Sequence, residues 1–272
     1  MRQDIKSAML DLKAEIVEFH KPCGGTGWLE PEEPGRMNPC DCMVVFHYLN
    51  SLIEAKIPRD YWWLSLDDLE IDSKYKKLCK WYNKRLTKAT QHGLGTMFFG
   101  LNGIGKTSMQ CAIGKEAVVQ GYNVQYFTAQ QYIESRKVND DILTMEFESG
   151  QIILLDEMDK VYIKAQSNYV TKTLEDFLRR KTADGSAFII CTNHDMGTLE
   201  QVFGPSTMSM LRRHLRFVDV EGEDYSKRLQ GRWSSLMESE TNYYDEEIVS
   251  MARRMMDLEI KEDDIAWKKA YQ

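Results

Sequence analysis

The amino-acid sequence predicts an α/β fold in which a central parallel sheet is flanked by helices. Two observations predict it. Short apolar runs that end in polar or acidic residues recur through the middle of the chain, at 97–99, 152–155 and 187–192, as strands buried on both faces do. Straight after the first run comes Gly100-Leu101-Asn102-Gly103-Ile104-Gly105-Lys106-Thr107-Ser108, a full phosphate-binding loop, and after the loop a helical stretch.

Composition sets the outer limits. A chain of 272 residues that is 43% hydrophobic has the apolar surface for one main domain with a small appendage. Its longest apolar runs, such as 152–155, fall far short of a membrane span, and the start Met-Arg-Gln-Asp-Ile-Lys has no apolar signal core, so a cytoplasmic protein without a membrane partner is expected. A net charge of −7 excludes a uniformly basic nucleic-acid binder and leaves that role to local patches. Six cysteines are too few for a disulfide scaffold of this length; three of them cluster early, which points to a metal.

Taken in order, residues 1–19 place Ile5, Met9, Leu12, Ile16 and Phe19 at spacings of four and three, one apolar seam on a charged helix. The seam packs either on its own protein or on a partner. Next, His20, Cys23, Cys40 and Cys42 form a four-ligand set. His20 and Cys23 have the spacing of a zinc knuckle, the intervening glycines allow a tight turn, and Cys40 with Cys42 closes a tetrahedral site, with His47 in reserve. Such a closed set is structural, and its zinc would hold a module too small to fold alone. A second helix is expected over 43–55. An extended linker through Ile57, Pro58, Arg59 and Asp60 then enters the main domain, with the boundary near residue 58.

Residues 74–88 carry seven lysines or arginines and no acid, interleaved with Tyr75, Trp81 and Tyr82. Such a mixture suits single-stranded nucleic acid, with aromatics stacking on bases, or it is a solvated helix face whose aromatics turn inward. In the loop that follows, the glycines let backbone N–H groups approach phosphates, Lys106 reaches the β and γ oxygens, and the Thr107 hydroxyl ligates magnesium. The helix over 106–120, stopped by Gly121, puts a positive terminus behind them. The site is therefore one for a nucleoside triphosphate.

A strand is expected over 123–128 and a helix over 129–137. Residues 151–155 lead to Asp156 and Glu157, carboxylates at the carboxyl end of a central strand, where Asp156 holds magnesium through water and Glu157 polarises the attacking water. The strand over 187–192, which lies beside the phosphate-loop strand in doubly wound sheets, ends in Asn193, an amide suited to sensing the γ-phosphate or orienting the water. Arg212, Arg213 and Arg216, ahead of a last strand over 217–220, are either a solvated cationic face or the source of an arginine finger in trans. Beyond residue 221 the chain is charged, with Ile248, Met251, Met255 and Met256 at helical spacing as core or docking surface.

Together the Lys106 loop, Asp156-Glu157, Asn193 and the arginine-rich segment resemble an AAA+ ATPase core over 58–225, preceded by a helical zinc-binding module over 1–57 and followed by a helical extension over 226–272. The cysteine module with Gly-Thr-Gly-Trp and Cys-x-Cys, then Ile-Pro-Arg-Asp-Tyr and the core, is similar to the DnaC/DnaI-type replicative helicase loaders, including phage-encoded ones. Ser209 to Arg213 resembles that family's finger segment, and Glu221 to Tyr225 its closing motif. His20 stands where many relatives have a cysteine. Ser226 stands where an arginine usually follows the tyrosine, with Arg228 a possible substitute. The resemblance implies ATP hydrolysis, self-association through the core, and single-stranded DNA and a replicative helicase as partners, in a bacterial or phage-infected cell. The alternatives are an IstB-like transposition helper acting on duplex DNA and a zinc-stabilised adaptor that only switches with nucleotide.

Overall fold

The structure, a computed structural model, describes residues 2–19, 22–24, 26–29, 38–67, 69–160, 168–224, 244 and 246–257. His20, Tyr225, Ser226 and Arg228 lie outside the described residues. The chain forms two units, one of Met1–Trp63, Val118–Gly121 and Ser239–Gln272, the other of Leu64–Ala117 and Tyr122–Glu238. The C-terminal helix thus belongs with the cysteine segment, whereas the sequence suggests a separate extension.

In the first unit, α1 (Arg2–Phe19) packs on α2 (Asp41–Glu54), and β1 (Trp28–Leu29) pairs antiparallel with β2 (Asn38–Pro39). Leu12 and Ile16 of the α1 seam are buried, as are Val44, Val45, Tyr48, Leu49 and Leu52 at three- and four-residue spacings along α2. The seam therefore packs on its own protein at these positions. The helix over 246–257 buries Ile248, Ala252 and Met255. It is tied by Arg253 to Asp41 and by Met251, whose sulfur accepts from the Tyr48 hydroxyl at 3.5 Å. Of its methionines, Met255 is core, and Met251 and Met256 are half-buried.

The segment expected to be an extended linker is a 3-10 turn, Arg59–Tyr61. Pro58 opens the turn with φ −60°, and the indole of Trp62 is buried and donates back to the Ile57 carbonyl at 2.9 Å, which closes the segment on itself.

The second unit begins with α3 (Ser73–Asn83) and α4 (Leu86–His92), followed by β3 (Gly95–Phe99), α5 (Lys106–Val119), β4 (Val124–Thr128), α6 (Ala129–Lys137), α7 (Asp141–Glu148), β5 (Ile152–Asp156), α8 (Asn168–Ala183), β6 (Ala187–Thr192), α9 (Met196–His214) and β7 (Leu215–Asp219). The strands form one parallel sheet in the order β4-β5-β6-β3-β7. Their registers bring Thr128 beside Asp156 and Phe99 beside both Thr192 and Asp219, so the chemistry-bearing strand ends share one edge. That edge holds the crevice where open α/β sheets bind ligands.

One face of the sheet is sealed by an aromatic cluster. Phe127 lies 4.4 Å from Phe147 and Tyr132 lies 4.3 Å from Phe177, ring centre to ring centre. From the other side, the Gln110 amide on α5 donates to the Ile189 carbonyl of β6 at 2.7 Å. Helix α9 is broken at Gly204, where φ is +68°, just before Pro205, so it is two helices across a kink.

The tight point of the sheet is Gly95. A Cβ there would stand 1.9 Å from the Phe188 carbonyl oxygen and 2.8 Å from the Leu215 side chain. Gly95→Ala is therefore expected to lower stability by about 1–3 kcal/mol, the usual cost of overpacking, read as a lower urea midpoint. An unchanged midpoint would contradict this close approach of β3 to β6.

Candidate nucleotide site and cysteine cluster

The nucleotide site grows from the end of β3. Gly100 leaves the strand with φ +138°, and a Cβ there would lie 2.4 Å from the Val220 carbonyl oxygen, so only glycine lets the loop turn beneath that segment. Lys106 opens α5 and is 7% exposed; its ammonium curls over the loop and donates to the carbonyls of Gly100 at 2.8 Å and Leu101 at 2.5 Å. Burial holds its pKa below the usual lysine range, against the opposing pull of Asp159 and Asp156. Asn102, Ile104, Gly105, Thr107 and Ser108 complete the loop and the first turn of α5.

Asp156 ends β5 and is 4% exposed. Its Oδ2 accepts from the Thr107 hydroxyl at 3.0 Å and the Tyr126 hydroxyl at 2.8 Å, and its Oδ1 accepts from the Glu157 N–H at 2.8 Å. Burial raises its pKa and these three donors oppose the rise. Glu157 follows with φ +51°, a left-handed conformation uncommon for a residue with a side chain, and its carboxylate is paired with Lys160. Asn193, one residue past β6, donates from its backbone N–H to Asp159 Oδ1 at 2.9 Å and from its side-chain nitrogen to Asp159 Oδ2 at 2.8 Å. The fold thus gathers the loop, Asp156, Glu157 and Asn193 at one sheet edge.

The arginines lie elsewhere. Arg212 is paired with Glu200, while Arg213 and Arg216 are exposed and have no ion-pair partner among the described residues. Because Leu215 is in register with Gly95 and Asp219 with Phe99, Arg213 sits at the opposite edge of the sheet from the phosphate loop of its own chain. About four strand residues, roughly 13 Å, separate the two edges.

Three contributors escape sequence reading, and a fourth, Asp224, is marked there only as part of the Glu221–Tyr225 motif. Tyr126 caps Asp156 from the neighbouring strand, Lys160 holds Glu157, Asp159 holds Asn193, and the Asp224 carboxylate lies against the loop, 1.9 Å from where a Cβ on Gly103 would stand. Beside Ile104 a pocket of about 360 Å³ is lined by Ile71, Asp72, Lys74, Glu221 and Gly222. Of the segment with alternating cations and aromatics, Tyr75 and Tyr82 turn inward. The Tyr75 hydroxyl donates to the Asp219 carbonyl and the Tyr82 hydroxyl to that of Leu94, at 2.9 and 2.7 Å. Only Trp81 of the three is exposed, with the Arg85 guanidinium 4.7 Å from its ring centre.

In the first unit, the pairing of β1 with β2 and the bond from Cys40 N–H to the Gly27 carbonyl at 2.9 Å bring Cys23 to Cys40 and Cys42. All three are buried with their sulfurs within 4.8 Å of one another, Cys23 and Cys42 at 3.4 Å. Burial, then the neighbouring thiols, push Cys42 up to about 12. His47, on the exposed face of α2, does not join the group.

A family model described as "IstB-like ATP binding protein" matches residues 90–234. The ATP-binding protein of an insertion sequence from Geobacillus stearothermophilus is 29% identical over 147 residues, 49% of this chain, and the chain spans 57% of that relative's length. Among solved structures, the DnaC helicase loader aligns with a TM-score of 0.52 at 15% identity, over 60% of this chain and 100% of that one. DnaI aligns at 0.50 and 16%, over 62% and 94%, and Aquifex aeolicus DnaA bound to AMPPCP at 0.50 and 16%, over 74% and 64%. These likenesses are of fold. No helix among the described residues is long and apolar enough to cross a membrane. With the family model spanning more than half of the sequence and the phosphate loop inside the match, the chain belongs to the IstB-like ATP-binding proteins.

Proposed function

We propose that the chain is a helicase loader, an ATPase that delivers a replicative helicase onto single-stranded DNA. The observation that carries this reading is a cysteine-held N-terminal unit, ahead of the region the family model matches, joined to a nucleotide site with both carboxylates in place. Exposed Leu10, Trp28 and Leu29 on that unit offer apolar contacts for a protein partner. The insertion-sequence relative favours a second reading, a transposition helper acting on duplex DNA. Co-purification separates the two. A replicative helicase should be retained by the chain in a nucleotide-dependent way; retention of a transposase and no helicase would establish the second reading instead.

At the nucleotide site the residues divide the work. Lys106 and the loop N–H groups bind the β- and γ-phosphates. Thr107 and Asp156, whose oxygens are 3.0 Å apart, suit a magnesium ion, which when bound neutralises phosphate charge. Glu157 accepts a proton from the attacking water as the new P–O bond forms and ADP leaves, which requires its pairing with Lys160 to open. The position of Arg213 across the sheet from its own loop supports a finger role only toward a neighbouring subunit. For DNA, the candidate face is the exposed stripe Lys77, Trp81, Lys84, Arg85 and Lys88 along α3 and α4, where Trp81 offers one stacking surface and the cations track phosphates.

The three sulfurs fit zinc. Buried thiols crowded this closely favour a soft divalent cation that stabilises their ionised form, and His20 supplies the fourth ligand in this reading. The purified chain should carry about one zinc. Cys40→Ser should remove it and abolish helicase capture while ATP binding persists; zinc-free native protein would overturn the assignment.

Lys106→Ala should weaken ATP binding, whereas Glu157→Gln should keep binding and stop turnover. Equal loss of binding in both would remove Glu157 from catalysis. Arg213→Ala should bind ATP normally and lose turnover by a factor of about 10³, as for other arginine fingers. Mixing Arg213→Ala with Glu157→Gln chains should restore part of the activity at shared interfaces. No recovery would leave Arg213 a surface cation.

Replacing Lys77, Lys84 and Lys88 together by Gln should weaken oligo(dT) binding and flatten its salt dependence, by up to about 0.7 in log–log slope for each phosphate that is no longer neutralised. Unchanged affinity and slope would place DNA on another surface.

A further inference from the structure

The sequence marks Asn193 as an amide that senses the γ-phosphate or orients the water, but an asparagine has two chemically opposite ends and nothing in the sequence says which one faces the nucleotide. Asp159 decides it. This carboxylate is 4% exposed, and both of its oxygens are taken by one residue: Oδ1 by the Asn193 backbone N–H at 2.9 Å and Oδ2 by the Asn193 side-chain nitrogen at 2.8 Å. An ionised carboxylate only accepts hydrogen bonds, so the end of the amide that faces it must be the NH₂. The two-point grip also fixes the side-chain rotamer relative to the strand end. The turn that carries Asp159 is in turn anchored to β6, since the Met158 N–H donates to the Cys191 carbonyl at 3.1 Å. Asn193 follows Thr192, which is in register with Phe99 just ahead of the phosphate loop, and Asp159 lies three residues past Asp156, so the pair sits at the sheet edge of the phosphate site rather than on a remote loop.

We infer that Asp159 is a positioning residue for ATP hydrolysis, which locks the Asn193 amide in one of its two flip states. One Nδ2 hydrogen is committed to Asp159. The second Nδ2 hydrogen is left to donate to a γ-phosphate oxygen, and Oδ1, turned the other way, is left to accept from the attacking water. A freely flipping amide would present the wrong end part of the time, placing an acceptor against an anionic phosphate. Asp159 touches neither phosphate nor water in this arrangement and acts only through Asn193. The inference rests on the reading of Asn193 as the γ-phosphate sensor.

The test uses the full chain and four proteins: wild type, Asn193→Ala, Asp159→Asn and the double variant. For each, turnover, nucleotide affinity and thermal midpoint are measured. Asp159→Asn is isosteric but presents an NH₂ toward Asn193, which turns the amide over. It should lower kcat by about 10²-fold, the scale of one lost preorganised donor, with ATP affinity unchanged. In the Asn193→Ala background the same substitution should have no further effect, because two residues acting through one contact are not additive. An additive loss in the double variant, or a normal kcat in Asp159→Asn beside an impaired Asn193→Ala, would overturn the positioning role while leaving the sensor role standing. A normal kcat in Asn193→Ala would remove the sensor role and the inference with it. Should Asp159→Asn fail to fold, the wild type still answers. The Asn193 side-chain NH₂ should show one strongly deshielded proton in a ¹H–¹⁵N spectrum, from the charge-assisted bond, and two ordinary amide protons there would overturn the lock.

Discussion

The nucleotide site depends on one buried carboxylate. Asp156 sits at the end of the central strand with its charge removed from water, and a lone ionised carboxylate in that position would be strongly disfavoured. It is kept in place by donors from three directions: Thr107 at the start of α5, Tyr126 on the adjacent strand β4, and the backbone of Glu157. Each donor ties a different piece of the fold to the same oxygen pair. The relative position of the phosphate loop and the strand that carries Glu157 is therefore held by this one carboxylate. Burial that raises its pKa and hydrogen bonds that lower it act against one another, and a bound cation would add to the second.

The next strand along repeats the arrangement one step further out. Asp159 receives two hydrogen bonds from Asn193, and the turn between β5 and Asp159 is pinned by Met158 to Cys191 of β6. Between the two aspartates lies Glu157, in a left-handed backbone conformation uncommon for a residue with a side chain. The acid expected to handle water is thus the least tightly held of the three, half exposed and, among the described residues, paired only with a lysine three residues on, and the two acids around it are fixed. A group proposed to exchange a proton and move would benefit from that contrast.

The first unit is organised on different physics. Its short β1–β2 pairing and two helices bury a modest apolar core, and the three crowded cysteines stand where a metal would add the cross-link that so small a core lacks. The contribution of the C-terminal helix to this unit comes from far along the chain. Ile248, Ala252 and Met255 are buried there, so the two ends of the sequence build one body.

Much was legible in the order of residues alone. The phosphate loop, the acid pair after an apolar strand and the asparagine at the end of the next strand are local signals, because the physics behind each needs only neighbours: glycines for a tight turn, an unbroken apolar run for a strand buried on both faces, a polar residue where a strand stops. The sheet and its flanking helices followed from the same periodicities. What local pattern could not resolve was any choice made across the sheet. Whether Tyr75 and Tyr82 stack on bases or bond to backbone carbonyls depends on what lies beneath α3, and the structure puts the ends of β7 and β3 there. The extended look of 57–63 gave way to a turn because a buried tryptophan reached back to Ile57. Tyr126, thirty residues from Asp156, carries no sequence mark; only the parallel register of β4 on β5 brings it there. Arg212 and Arg213 are adjacent and identical in type, yet one is held by Glu200 and the other faces outward. Sequence by itself determined the chemistry available and the strand that bears it. Tertiary structure decided which partner each charged or hydrogen-bonding group meets, because burial and register are set by packing between segments that are distant along the chain.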